Sequence, residues 1–190
     1  MSKLTFYVPI ILAAAAYAAR MAEIATKRNT IPGPVQENLT FRLFFVVGTA
    51  ITFGSLAEYL FVRREFSWLV LGAGVACSLV SFALRRSAIA ALGKFWSLHV
   101  EIRENHEFVQ SGPFRFMRHP TYFSMVLELL SFALIFNAWI TMIFIPLAYI
   151  PVLIMRLRLE EPALVEKFGD AYREYQRRVP MLIPYKWPSR

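Results

Sequence analysis

Hydrophobic positions along this chain gather into five long runs rather than short alternating patches. They cover residues 4–19, 41–62, 66–84, 121–136 and 138–155. Each approaches the ~20 apolar residues that a helix needs to cross a bilayer, with the first and fourth somewhat short. The pattern therefore predicts membrane helices. The first run also has the outline of a signal peptide, with Lys3, an apolar stretch and then Ala16-Tyr17-Ala18-Ala19; a retained helix is the preferred reading. Only Asn137 separates the fourth run from the fifth, so these two are expected to form a tight helical hairpin. Two polar stretches remain. Residues 87–118 are polar and aromatic. In residues 163–178, Leu164, Phe168, Tyr172 and Tyr175 recur at helical spacing against Glu166, Lys167, Asp170 and Arg173. The second stretch reads either as a helix lying on the membrane surface or as a lid over a site.

The expected fold class is thus an all-α integral membrane protein with about five transmembrane helices. Residues 1–85 would hold the first three. Residues 86–190 would hold a linker, the hairpin 121–155 and a C-terminal amphipathic helix. No internal repeat, low-complexity tract or independent second domain is visible.

Composition supports this class. Of 190 residues, 57% are hydrophobic and only 18% charged, below the quarter or so usual for soluble domains. A net charge of +8 matters here through its placement. With the N-terminus outside, eighteen of the 21 Lys and Arg residues fall on the inner side, leaving Lys3, Arg63 and Arg64 outside. That bias predicts an outer N-terminus and a cytoplasmic C-terminus. Arg63-Arg64 at an outer end is the one local conflict. No basic-aromatic module points to nucleic acid. Cys77 is alone, so neither an internal disulfide nor a cysteine metal cluster can form.

The candidate chemistry sits where polar and apolar segments meet. In Ser111-Gly112-Pro113-Phe114-Arg115-Phe116-Met117-Arg118-His119-Pro120-Thr121-Tyr122, two arginines and a histidine directly precede the fourth run. Pro120 suits the first turn of a helix, having no N–H to leave unbonded and a preset φ. Arg156 and Glu160, four apart at the end of the fifth run, share one helix face, whereas Arg158 and Glu161 point elsewhere. Arg156 and Glu160 are either a helix-end ion pair or a divided pair, with Arg156 clamping a carboxylate and Glu160 meeting a cation or hydroxyl. His99, His106 and His119 are the only histidines. Their spacings of seven and thirteen match no compact metal motif, and hydrogen bonding to a polar cofactor suits them better. Glu128, midway through the fourth run, is either functional or a protonated carboxyl bonded to a neighbouring helix through Ser124 or Ser131. Gly72-Ala73-Gly74 reads as a close-packing face rather than a nucleotide loop.

The ordered set of motifs resembles the membrane-embedded isoprenylcysteine carboxyl methyltransferases and their prokaryotic relatives. The resemblance covers about half the chain, roughly residues 96–184. It is carried by His106-Glu107-Phe108-Val109, Ser111-Gly112-Pro113-Phe114, Arg118-His119-Pro120-Thr121-Tyr122, Glu160-Glu161, Phe168-Gly169-Asp170-Ala171-Tyr172-Arg173-Glu174-Tyr175 and Arg178-Val179-Pro180. It implies methyl transfer from S-adenosylmethionine, bound in a cytoplasmic pocket within the methyltransferase region, residues 86–190. Carried across, the cofactor contacts fall at His99, His106, Glu107, Phe108, Val109, Phe114, His119, Pro120, Thr121, Tyr122 and Glu160, and the substrate-associated arginine at Arg156. The chain departs from the eukaryotic pattern at His99, where they carry an amide, and at Phe114, where they carry Tyr.

Such a transfer makes modest chemical demands. A sulfonium methyl is already activated, so the enzyme chiefly aligns the reactants and excludes water. A carboxylate acceptor is ionised at neutral pH and needs a cation to orient it. Arg156 is the first choice and Arg118 the second. The expected partners are a lipophilic carboxylate or prenylated substrate arriving sideways from the bilayer, and membrane lipids, with no nucleic acid. Three other readings stay open, one of them a non-catalytic membrane interaction protein that kept the scaffold and would bind no cofactor. A phospholipid N-methyltransferase would need a base, for which Glu128 or Glu161 could serve. A sterol-reductase-like enzyme would bind NADPH, but its acidic and Cys run around Glu160 is not present.

Overall fold

A computed structural model describes residues 3–26, 39–62, 64–93 and 109–185. Each of the five apolar runs forms a helix. They are α1 (Lys3–Ala25), α2 (Leu39–Phe61), α3 (Trp68–Leu92), α4 (Pro120–Ile135) and a composite helix (Trp139–Phe168). Four of these are long and apolar enough to cross a membrane; α4 is the shorter one. At 1.5 Å per residue, the 16 residues of α4 span about 24 Å. The composite helix comprises α5 (Trp139–Phe144), one π turn (Ile145–Tyr149) and α6 (Ile150–Phe168). Pro146 and Pro151 cannot donate to the i−4 ladder. The helix widens between them, and the Ile150 N–H bonds the Ile145 carbonyl five residues back.

Alternate helix ends meet as the hairpin pattern requires. The Tyr59 hydroxyl donates to the Phe6 carbonyl at 2.9 Å, placing the start of α1 beside the end of α2. Asn137, at φ 53°, makes the expected turn between α4 and α5, and its amide donates to the Glu65 carbonyl at 3.1 Å. At this end Glu58 accepts from the backbone N–H groups of Ile140 and Thr141 (3.1 and 2.7 Å), the Thr141 hydroxyl and Arg64. It therefore caps the composite helix, and Arg64 has a carboxylate partner at the end where the charge rule left it anomalous.

The tightest pair is α3 against α4. A Cβ on Gly74 would lie 2.7 Å from the Ile135 backbone nitrogen, whereas one on Gly72 would meet nothing within 4 Å. Close packing thus needs Gly74 alone. The Ser81 hydroxyl then donates to the Ser124 carbonyl at 2.6 Å.

Glu128 has ionic partners rather than the two serines expected. Arg85 on α3 donates from Nη1 to Glu128 at 2.8 Å and from Nε to Glu23 on α1 at 2.8 Å, while Arg20 lies 3.6 Å from Glu128. Ser131 instead bonds the Glu128 backbone carbonyl, and Ser124 bonds that of Thr121. Two arginines and two carboxylates thus tie α1, α3 and α4 together. Burial of charge inside a bundle requires such pairing.

Candidate functional site

The site is built at the helix ends opposite the Asn137 turn. A 3-10 turn (Gly112–Arg115) leads into the strip, and α4 begins at Pro120, as its missing N–H favours. The strip is pinned by the C-terminal segment: the Arg118 N–H bonds the Pro180 carbonyl at 2.9 Å and the His119 N–H bonds that of Met181 at 3.0 Å.

Glu161 organises this region. It accepts from Arg118 Nε (2.9 Å) and Nη2 (3.0 Å), from His119 Nε2 (2.7 Å), from the Tyr172 hydroxyl (3.0 Å) and from Gln176. A carboxylate oxygen only accepts, so His119 Nε2 is the donor in this contact. Arg118 Nη1 donates to the carbonyls of Gln176 (3.0 Å) and Val179 (2.6 Å). All three Arg118 nitrogens therefore have partners inside the protein.

These bonds explain the amphipathic stretch. It is not one helix: Gly169, at φ 59°, separates α6 from α7 (Asp170–Arg178). A left-handed φ here suits glycine. Tyr172 and Tyr175 are buried against the strip, and Tyr175 donates to the Phe114 carbonyl at 2.6 Å. Burial, reinforced by the Glu161 carboxylate, pushes the Tyr172 phenol well above its ordinary pKa; burial does the same for Tyr175. Thus α7 docks as a wall on the Arg118–Glu161 core.

A second chain of polar groups runs beside the first. Arg156 is buried at 2% exposure. Its Nε donates to the Tyr122 hydroxyl at 2.7 Å, and that hydroxyl donates to Glu160 at 2.7 Å. Phe41 and Tyr122 each present a ring face 5.8 Å from the Arg156 guanidinium carbon, a cation–π distance. Phe44 packs edge-on to Tyr122 and tilted against Tyr149. Below lies an apolar core of Ile51, Leu129, Ile145, Leu153 and Leu157, drawn from α2, α4 and the composite helix. Arg156 therefore stands at the polar end of an aromatic and aliphatic interior.

Of the residues singled out in the sequence, His119, Pro120, Thr121, Tyr122, Arg156 and Glu160 come together here. His119 Nδ1 lies 3.9 Å from Glu160. Phe114 is buried under α7, and Val109 is half-buried at the start of the strip. His99, His106, Glu107 and Phe108 lie outside the described residues. Glu161, expected to point away from the Arg156–Glu160 face, points into the strip. One signal could have found it: Leu153, Leu157 and Glu161 continue a single i+4 stripe, and all three are buried. Phe41, Phe44 and Tyr149 carry no such signal, because their place depends on how α2 packs.

Residues 74–166 match the isoprenylcysteine carboxyl methyltransferase (ICMT) family. Just under half of the chain thus resembles this family. Its first matched residue, Gly74, is the α3 position in close contact with α4. Among similar proteins, "uncharacterized protein YpbQ" of Bacillus subtilis is 32% identical over 114 residues, covering 58% of this chain and 66% of that protein. The protein-S-isoprenylcysteine O-methyltransferase of Schizosaccharomyces pombe is 30% identical over 103 residues, covering 53% and 44%. Protein-S-isoprenylcysteine O-methyltransferase B of Arabidopsis thaliana is 28% identical over 138 residues, covering 69% and 70%. The chain thus spans 66% of the Bacillus protein's length and less than half of the fission-yeast enzyme's. The ICMT match and four span-length apolar helices make this an integral membrane protein.

Proposed function

We propose that this protein transfers the methyl group of S-adenosylmethionine to the carboxylate of a lipophilic, prenylcysteine-like acceptor at the membrane. The observation that carries the reading is the buried Arg156. It is a carboxylate-shaped cation at the polar end of an apolar interior, one hydroxyl away from Glu160. An acceptor with an apolar tail and an anionic head matches both parts.

The donor set fits the cofactor. S-adenosylmethionine is cationic at its amino group and its sulfonium, and calls for a carboxylate that water-borne ligands can reach. Glu160, at 25% side-chain exposure, is more open than Glu161, at 10%. His119, Tyr122 and Glu160 would hold the cofactor, with Val109, Phe114, Pro120 and Thr121 around them and His99 and the run 106–108 completing the set. When bound, the cofactor supplies a methyl group already activated by positive sulfur. The chain's residues need only orient and desolvate. Arg156 orients the acceptor carboxylate, and its shared bond with Tyr122 keeps its grip on that carboxylate from becoming too tight. Arg118 acts at one remove, fixing His119 and α7 through Glu161. The two carboxylates named for an amine-deprotonating base are held in ion pairs, Glu128 by Arg85 and Glu161 by Arg118, which favours a carboxylate acceptor over an amine.

The concentration of basic residues at the site end supports a cytoplasmic C-terminus and an outer N-terminus. Cofactor would then arrive from the cytoplasm and acceptor from the bilayer. The residue roles separate by mutation. Arg156→Ala should abolish methylation while leaving cofactor binding largely intact; equal loss of both would sink its assigned role. Glu160→Gln should weaken S-adenosylmethionine binding by calorimetry in detergent, and unchanged affinity would remove it from the cofactor site.

A further inference from the structure

The directions of two hydrogen bonds carry a consequence beyond either site. An arginine Nε–H can only donate, so in the 2.7 Å contact with Arg156 the Tyr122 hydroxyl must accept. Its single proton is then committed to Glu160, also at 2.7 Å. The tyrosine ring packs between Phe44, edge-on with centroids 5.9 Å apart, and the His119 ring, with centroids 5.7 Å apart. Tyr122 as a whole residue is 9% exposed. The result is a one-way chain, Arg156 to Tyr122 to Glu160, in which the negative charge on Glu160 draws on the positive charge of Arg156 through one polarisable hydroxyl.

We propose that Tyr122 is a positioning residue that couples cofactor binding at Glu160 to acceptor binding at Arg156. This rests on the function proposed above. With the cofactor absent, Glu160 shares its charge only with Tyr122 and its surroundings, and pulls Arg156 toward the hydroxyl. The cofactor's α-ammonium group, which S-adenosylhomocysteine keeps, takes up that charge at Glu160. The Tyr122–Glu160 bond then weakens, the Tyr122 oxygen is a poorer acceptor, and Arg156 offers more of its charge to an incoming carboxylate. The acceptor therefore binds better to the cofactor-loaded protein. By linkage, the cofactor binds better in the presence of the acceptor, by the same factor. The reacting pair is favoured over either half-filled site, and the Tyr122 hydroxyl bonded to both Arg156 and Glu160 carries the coupling.

The test is a binding square on the purified full chain in detergent, using S-adenosylhomocysteine so that no turnover intervenes, and an S-farnesyl cysteine with a free carboxylate as the acceptor probe. The probe's Kd is measured with and without saturating S-adenosylhomocysteine. Wild type should show tightening of about fivefold or more, the lower range of typical coupling. Tyr122→Phe, which removes one oxygen and keeps the ring, should bring the ratio close to one, with a thermal melt confirming the fold. Glu160→Gln should also bring it close to one, by removing the charge while leaving Tyr122 an acceptor. A wild-type ratio of one, or a wild-type-sized ratio in Tyr122→Phe, overturns the coupling and leaves the proposed function standing. Failure of the wild type to bind S-adenosylhomocysteine at all overturns both.

Discussion

Replacing Glu161 with Ala should release α7 from the body of the protein. The carboxylate receives five hydrogen bonds, two from Arg118 and one each from His119, Tyr172 and Gln176. Its ion pair with Arg118 is largely sequestered, the two side chains being 10% and 9% exposed. Removing one partner of such a pair costs about 3–5 kcal/mol, mostly because the other charge is left behind. Arg118 keeps the carbonyls of Gln176 and Val179 as acceptors, which places the loss near the lower end, about 3 kcal/mol. At 1.4 kcal/mol per tenfold, that is roughly a hundredfold increase in the undocked population of α7. Hydrogen–deuterium exchange in detergent should show it directly, with residues 170–178 exchanging faster while α3 and α4 keep their wild-type protection. Glu161→Gln keeps an acceptor of the same shape but loses charge-assisted bonds, which are about twice as strong as neutral ones; it should fall between wild type and Ala. Unchanged exchange in α7, or equal loosening of the whole bundle, would refute the role of Glu161 as the organiser of this wall.

Other consequences follow from the same packing. Arg85→Ala leaves Glu23 and Glu128 with only the longer contacts to Arg20, at 3.8 and 3.6 Å, and should cost about 3 kcal/mol by denaturant unfolding in detergent. Adding Glu128→Gln should recover part of that loss, and no recovery would argue against the pair. Gly74→Ala should destabilise by about 1–3 kcal/mol through overpacking against Ile135. Gly72→Ala should be neutral or gain up to about 1 kcal/mol from helix propensity; similar effects at both positions would contradict the packing of α3 on α4. Tyr172 and Tyr175 have folded pKa values raised above the ordinary phenol value. Their contribution is complete below about pH 10 and is lost as pH rises through the folded values. Docking of α7 should therefore weaken in strong alkali, and Tyr175→Phe should reduce that alkaline limb in an exchange or fluorescence titration.

The sequence carried the helices well because each apolar run is long and bounded by charge or proline. The turn at Asn137 and the start of α4 at Pro120 are local effects of single residues, and both were legible. The length of the composite helix was not. Its apolar run stops near Met155, yet the helix continues to Phe168, since polarity after Arg156 marks a change of surroundings rather than of backbone. The break at Gly169 was hidden by helical periodicity continuing on both sides of it. Glu128 was recognisable as a costly buried carboxylate, but its partners Arg85 and Arg20 come from helices placed beside it only by long-range packing. The Arg156–Glu160 face was visible from spacing, whereas the hydroxyl that joins the two, Tyr122, comes from another helix.

The most direct test of the account is methyl transfer itself. Purified protein in detergent or nanodiscs would be given S-adenosylmethionine labelled in its methyl group and an S-farnesyl cysteine with a free carboxylate. The product should carry label that base releases as methanol, the mark of a methyl ester, and Arg156→Ala should form none. No transfer by the wild-type protein, or label that resists base because it sits on nitrogen, would contradict the proposed reaction.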